Sequence, residues 1–203
     1  MAIEPRKYTW EKPLTGISEK TLQIHQDTLY QGYVKKANEI SQKLNEFCMN
    51  QANFDAPNQS YSHIRGLKEG ETFARNGVYL HEWYFSVLGG SGEPTGTLVD
   101  ALVEKMGSLE NFYGYFKACG MAARGWAVLC WDMRAQTVKV YTADAHNQGG
   151  VWGCIPLIVL DVYEHAYFMD YGANRGAYID DFFKNLDWSV ANEYYEKARK
   201  CTL

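Results

Sequence analysis

The stretch Ile155-Pro-Leu-Ile-Val-Leu160-Asp161-Val-Tyr-Glu-His165-Ala-Tyr167 joins an apolar, β-branched run to a segment carrying two carboxylates and an imidazole. The run reads as a buried strand, which leaves Asp161 at its end, where an ionised carboxylate is costly unless it is paired or binds a cation. His165 lies within one turn and offers a second donor to the same ion. A surface aspartate followed by a helix-capping Glu–His pair is the alternative reading of this stretch alone.

Upstream, apolar or aromatic residues together with His25 fall at 22, 25, 29, 33, 37, 40, 44 and 47, a helical period that predicts a long amphipathic helix. The polar stretch around Pro57 breaks it, and Phe73, Gly77, His81, Tyr84 and Leu88 outline a second helix ending at Gly89-Gly90. Gly89-Gly-Ser-Gly-Glu-Pro94 is the most linker-like segment, so two domains are expected, 1–90 and 91–203. Beyond it, Leu98–Met106 and Leu109–Met121 have helical spacing. Three β-rich runs follow, Gly125–Trp131, Thr137–Thr142 and Cys154–Leu160, and the tail from Tyr178 to Arg199 is helical again. The expected class is α+β: an N-terminal helical hairpin, then an α/β C-terminal domain with a small antiparallel sheet.

Composition narrows the functions. Among 203 residues, 46% are apolar and 15% aromatic, enough for a packed core, and the net charge of −4 provides no global field for nucleic acid. Five scattered cysteines without a C-x-x-C pair argue against a disulfide framework or zinc ribbon and for a reducing compartment. The charged N-terminus has no apolar core of signal-peptide length, and no run is long enough to span a membrane, so a soluble cytoplasmic protein is expected.

His25 and His81, each on the packing face of its helix, read singly as core histidines as readily as ligands. Together with Asp161 and His165 they make three imidazoles and one carboxylate, a donor set suited to iron, manganese or zinc. With no thiolate among them a structural zinc site fits less well. An open site between two subdomains suits redox chemistry on a small molecule.

These residues resemble the iron/manganese superoxide dismutase family over nearly the whole chain. Its signature Asp-x-[Trp/Phe/Tyr]-Glu-His-Ala-[Tyr/Phe] stands here as Asp161 to Tyr167. His25 with Tyr33-Val34, Leu80-His81 before Trp83-Tyr-Phe85, Gly125-Trp126-Ala, Asn174-Arg175 and Asn185-Leu-Asp-Trp188 match in the same order. The resemblance implies a three-stranded sheet and His25, His81, Asp161 and His165 as ligands of one iron or manganese ion per chain. It also implies disproportionation of superoxide, Tyr33 as a proton donor at the channel mouth, and a homodimer in which Glu164 reaches the partner's metal-binding histidine.

The departures from the family pattern concern the surroundings of the metal. Leu29 and Tyr30 stand where many members carry two histidines, and Phe85 and Tyr163 stand for tryptophans. Gly77 occupies one of two places for a glutamine, and His146, from the polar stretch Asp144–Gly150, is the candidate at the other; a surface-loop histidine is its plainer reading. His63 reads as that plainer kind. Arg175 is expected either to attract superoxide or to form a salt bridge. Trp83, Trp126, Trp131 and Trp152 suggest aromatic walls around a small site. Two alternatives use the same residues differently: a non-haem iron oxygenase, which needs room for an organic substrate, and a non-catalytic binding protein on the same fold, which has no use for four ligands.

Overall fold

A computed structural model describes residues 2–54 and 56–202. The first long helix runs as α1 (Glu19–Ile24), a π-helical turn (His25–Tyr30) and α2 (Gln31–Cys48). Ser18 starts it by accepting the Thr21 N–H through its side chain, the usual N-cap geometry. Ser62 caps α3 (His63–Ser86) in the same way. The two helices are antiparallel, since His25 meets His81 at one end (ring centroids 4.9 Å) and Phe47 meets His63 at the other (5.7 Å).

The π-helical turn corrects the expected stripe. A π-type turn takes in an extra residue and shifts the phase of everything after it. Tyr30 and Val34 are therefore buried, at 0% and 4% exposure, whereas Leu29 and Tyr33 of the expected stripe are only partly buried.

The second half contains α4 (Thr97–Met106), α5 (Leu109–Ala122), strands β1 (Trp126–Asp132), β2 (Thr137–Ala143) and β3 (Cys154–Asp161), then α6 (Glu164–Tyr171), α7 (Arg175–Lys184) and α8 (Trp188–Ala198). The sheet is antiparallel in the order β2-β1-β3, matching the expected class. Its central strand is buried from Trp126 to Trp131, which is why that run shows no polar alternation. The tail expected as one helical segment is two helices. Asp187 caps α8 through bonds to the Ser189 and Val190 N–H groups, so the chain turns at Asn185–Asp187.

The glycine-rich stretch is held against that turn instead of hanging free. The Gly89 and Gly90 N–H groups donate to the Asn185 carbonyl at 2.9 and 3.0 Å, Gly92 donates to Leu186, and the Asp187 N–H donates to Val87. A Cβ on Gly90 would lie 2.4 Å from Asp187 Cα and from the Leu186 carbonyl oxygen. Close backbone approach, not flexibility, accounts for glycine there.

The N-terminal segment is extended and gripped by side-chain amides. Asn38 accepts from the Ile3 N–H and donates to its carbonyl, and Gln26 and Asn185 do the same for Tyr8 and Thr15. Each fork imitates one rung of a sheet, so a strand-like segment is satisfied without a neighbouring strand. The segment lays Tyr8 and Trp10 over Phe85, with ring centroids 5.5 and 6.2 Å apart, and Phe85 packs on His25.

Gly90→Ala is expected to destabilise the protein by about 2–3 kcal/mol, because a methyl group is forced into backbone atoms that cannot rotate away. Urea unfolding at constant m-value measures this. A change within about 0.5 kcal/mol would mean that the seam is loose.

Candidate metal centre

Four elements deliver the four expected ligand residues to one point. His25 opens the π-helical turn, His81 projects from α3, Asp161 ends β3, and His165 lies in the first turn of α6. Their donor atoms all lie within 4.8 Å of one another. Asp161 Oδ2 is 3.2 Å from His25 Nε2, 3.6 Å from His81 Nε2 and 3.2 Å from His165 Nε2. Asp161 and His81 are wholly buried, and the His165 side chain is 27% exposed.

Local structure explains the aim of each group. Asp161 Oδ1 accepts the Tyr163 N–H at 2.9 Å, which turns the strand end into α6 and leaves Oδ2 facing the imidazoles. His81 Nδ1 hydrogen-bonds the Gly77 carbonyl, which assigns the proton to Nδ1 and leaves Nε2 with a free lone pair. Gly77 has a second role: a Cβ there would lie 2.7 Å from the Tyr33 ring, so glycine makes room for that ring against α3. Below the site, the Tyr178 hydroxyl donates to the Asp161 carbonyl at 2.7 Å and lies 3.1 Å from the Tyr84 hydroxyl.

The donor set fits a metal ion. His25 Nε2 and His81 Nε2 are buried and make no hydrogen bond, although a carboxylate oxygen is near, so their lone pairs converge on a shared point. An ion bonded to each donor at about 2 Å separates the donors by about 3–4 Å, close to the spacing observed. Burial acts to raise the Asp161 carboxyl, yet the neighbouring His165 and His25 hold it well below the usual carboxylate range. Burial pushes His25 and His81 down toward the neutral, metal-binding form. His165 is raised, because the attraction of Asp161 outweighs its own burial.

Two further residues border the cluster. His146 is 3% exposed, so it is no surface-loop histidine. Trp126, opposite Asp161 in the β1–β3 register, donates its indole N–H to His146 Nδ1 at 2.9 Å. Nε2 must then carry the proton, and it is a buried donor without a partner. The His146 ring lies 5.8 Å from His81 and 4.6 Å from Tyr33. Tyr33 packs at 5.2 Å on His81, and burial with the nearby Asp161 charge pushes its phenol up to about 12.

Other expectations change. Arg175 neither pairs with a carboxylate nor stays free for an anion: its guanidinium donates to the Ala123 carbonyl at 2.8 Å, closing the C-terminus of α5, and to the Tyr167 hydroxyl. Of the four tryptophans named above, Trp126 lies against His81 at 5.1 Å, whereas Trp83 is half-buried, Trp131 packs on Tyr195 and Trp152 is 99% exposed. Phe85, Tyr84 and Tyr163 complete the wall, on His25, His25 and His165 respectively. His63 is exposed at the start of α3.

A helical hairpin and an α/β unit that close three imidazoles and a carboxylate around one point define a mononuclear metalloprotein. Residues 94–194 match the family model described as iron/manganese superoxide dismutases, C-terminal domain. The chain is 46% identical to a protein named Superoxide dismutase [Fe] from Aquifex pyrophilus, over 98% of this chain and 93% of that one. It is 37% identical to Superoxide dismutase [Mn] from Haloarcula marismortui, over 97% and 94% of the two chains, and 38% identical to Superoxide dismutase [Fe] from Cupriavidus metallidurans, over 98% and 95%. The chain belongs to the iron/manganese superoxide dismutase family.

Burial lowers the His146 pKa from 6.5 to about 4. The unfolded chain therefore takes up a proton that folded His146 refuses, and its contribution to stability, present above pH 6.5, is lost as the pH falls to about 4. In the metal-free protein, His146→Gln should remove up to about 2–3 kcal/mol of that acid sensitivity. Unfolding free energies of both proteins between pH 7 and 4 give the comparison; identical slopes would mean that His146 is solvated.

Proposed function

We propose that the protein is a superoxide dismutase that holds one iron or manganese ion through His25, His81, Asp161 and His165. The observation that carries this reading is the convergence of three imidazoles on a buried carboxylate, with His25 Nε2 and His81 Nε2 buried there without hydrogen-bond partners among the described residues. An iron or manganese ion held by these four residues would supply one-electron redox chemistry, by which two superoxide anions and two protons become dioxygen and hydrogen peroxide. The chain's own residues position, exclude water and supply protons.

Tyr33 and His146 are the proton-bearing groups beside the cluster. With its phenol at about 12, Tyr33 keeps its proton at neutral pH and hydrogen-bonds without ionising. His146 is neutral, and its Nε2–H is the one donor left over after Trp126 has engaged the other nitrogen. Both therefore act as neutral donors toward a small oxygen species held between them. Phe85, Tyr84 and Trp126 are buried and wall the cluster with rings. Four converging donors have no purpose in a non-catalytic binding protein.

A homodimer completes the reading. Glu164 is exposed next to Phe168 and Met169, at 54% and 51% exposure, and among the described residues nothing in its own chain pairs with it. His165 uses Nε2 at the cluster, so its other nitrogen is available to a carboxylate from a second copy. The five cysteines are free, consistent with a reducing, cytoplasmic setting, and among the described residues no helix is long and apolar enough to cross a membrane.

Asp161→Ala should purify with little metal and no superoxide consumption, read by elemental analysis beside turnover; full occupancy in that variant, or stoichiometric zinc in the wild type, contradicts the reading. His146→Ala should keep its metal near the wild-type level yet lose at least about ten-fold in turnover. Glu164→Ala should weaken both association and metal retention, measured by sedimentation; a wild type that is monomeric and active at micromolar concentration removes the dimer.

A further inference from the structure

Superoxide is a monoanion at neutral pH, and the chain carries a net charge of −4, so its overall field opposes the substrate. A cavity of about 380 Å³ lies beside the centre between α2 and α3, and its lining includes Leu29, Tyr33, Ile40 and Phe73. It shares a wall with the centre: Tyr33 packs on His81, and Tyr33 and Phe73 both pack on His146, at 4.6 and 4.5 Å. Leu29 lines this cavity where a polar or basic residue would offer an anion some attraction, and Arg175 is engaged at the end of α5. Lys36 is the one charged residue among those lining the cavity.

We propose that Lys36 is the residue that attracts superoxide into the cavity over Tyr33, and that Glu39 tunes that attraction. Lys36 lies one helical turn beyond Tyr33, on the same side of α2, and lines the same cavity. Glu39 bonds Lys36 at 2.5 Å and Lys43 at 2.7 Å, giving a triad of two cations and one anion. These two ammonium groups hold the Glu39 carboxyl down at about 2, so the triad keeps a net positive charge across the neutral range. All three side chains are exposed, which makes the pair weak as a stabilising element and leaves Lys36 free to act through its field. The attraction works on encounter, not on the chemical step, so it appears in kcat/KM and in its dependence on salt.

The inference rests on the reading of the protein as a superoxide dismutase, and the experiment separates the two. Superoxide consumption is measured for the metal-loaded wild type, Lys36→Gln, Glu39→Gln and Lys105→Gln, at ionic strengths of about 10 and 150 mM, where screening lengths are about 30 and 8 Å. A wild type that consumes no superoxide overturns the functional reading itself. With activity present, Lys36→Gln should lower kcat/KM about two- to three-fold at low salt, the scale of one charge acting through several ångströms of water, and should converge on the wild type at high salt. Glu39→Gln should raise kcat/KM at low salt. Lys105→Gln, which removes the same charge from exposed α4, should leave it unchanged. Azide, a small monoanion that ligates ferric iron, supplies a readout apart from turnover: its dissociation constant, followed optically in the iron-loaded protein, should rise by a similar factor in Lys36→Gln. The proposal is overturned if Lys36→Gln parallels the wild type at both salts, if its deficit persists at high salt, or if Lys105→Gln changes the rate as much.

Discussion

The structure depends on the stabilisation of one buried carboxylate. Asp161 is wholly removed from water at the end of a central-sheet neighbour strand, and an isolated anion there would cost several kcal/mol. Three imidazoles from three other positions in the chain face it, two of them kept neutral by their own burial. A cation bound there would settle the charge of the whole group at once and tie the helical hairpin to the α/β unit through shared ligands. Metal binding by these four side chains would be coupled to folding.

Around that cluster, positions are set by backbone devices more than by side-chain size. The π-helical turn rotates the first helix so that His25 and Tyr30 go inward while Tyr33 stays at the rim, where it lines the cavity beside the site. Gly77 removes a Cβ from the space the Tyr33 ring occupies, and its carbonyl fixes the His81 tautomer. Trp126 performs the corresponding task for His146, engaging Nδ1 and leaving Nε2–H inward. The tautomers of His81 and His146 are thus set by their own chain before any substrate arrives, the preorganisation that electrostatic catalysis needs.

The two halves of the chain are joined along a seam as well as at the centre. Asn185 accepts two backbone bonds from Gly89 and Gly90 through its carbonyl and grips Thr15 with its side chain. The amide forks of Gln26 and Asn38 hold the rest of the N-terminal segment, whose Tyr8 and Trp10 cover Phe85 and, behind it, His25. A segment without regular secondary structure thereby shields a metal-facing imidazole from water, which strengthens the electrostatics inside.

Local periodicity and the Asp161–His165 spacing made the helical hairpin, the three strands and the set of four donor residues legible in the sequence, because those signals come from side chains a few residues apart. The same locality explains what was not legible. The stripe through Leu29 and Tyr33 assumed a uniform helical turn, and only packing against α3 reveals that a π-helical turn moves burial to Tyr30 and Val34. The glycine stretch at 89–94 has a linker's composition, yet its glycines answer to backbone atoms of Asp187 and Lys184, about a hundred positions away. Arg175 and the four tryptophans carry no local mark of whether they face the centre, and the fold turns Arg175 to α5, Trp131 to Tyr195 and Trp152 to solvent. His146 sits in a polar stretch that left a role beside the metal and a surface loop both open; its burial comes from Tyr33, Phe73, Trp126 and Tyr163, and its tautomer from Trp126. Sequence determined which residues could bind an ion, and tertiary structure decided where each one points, because direction depends on contacts that only the closed chain makes.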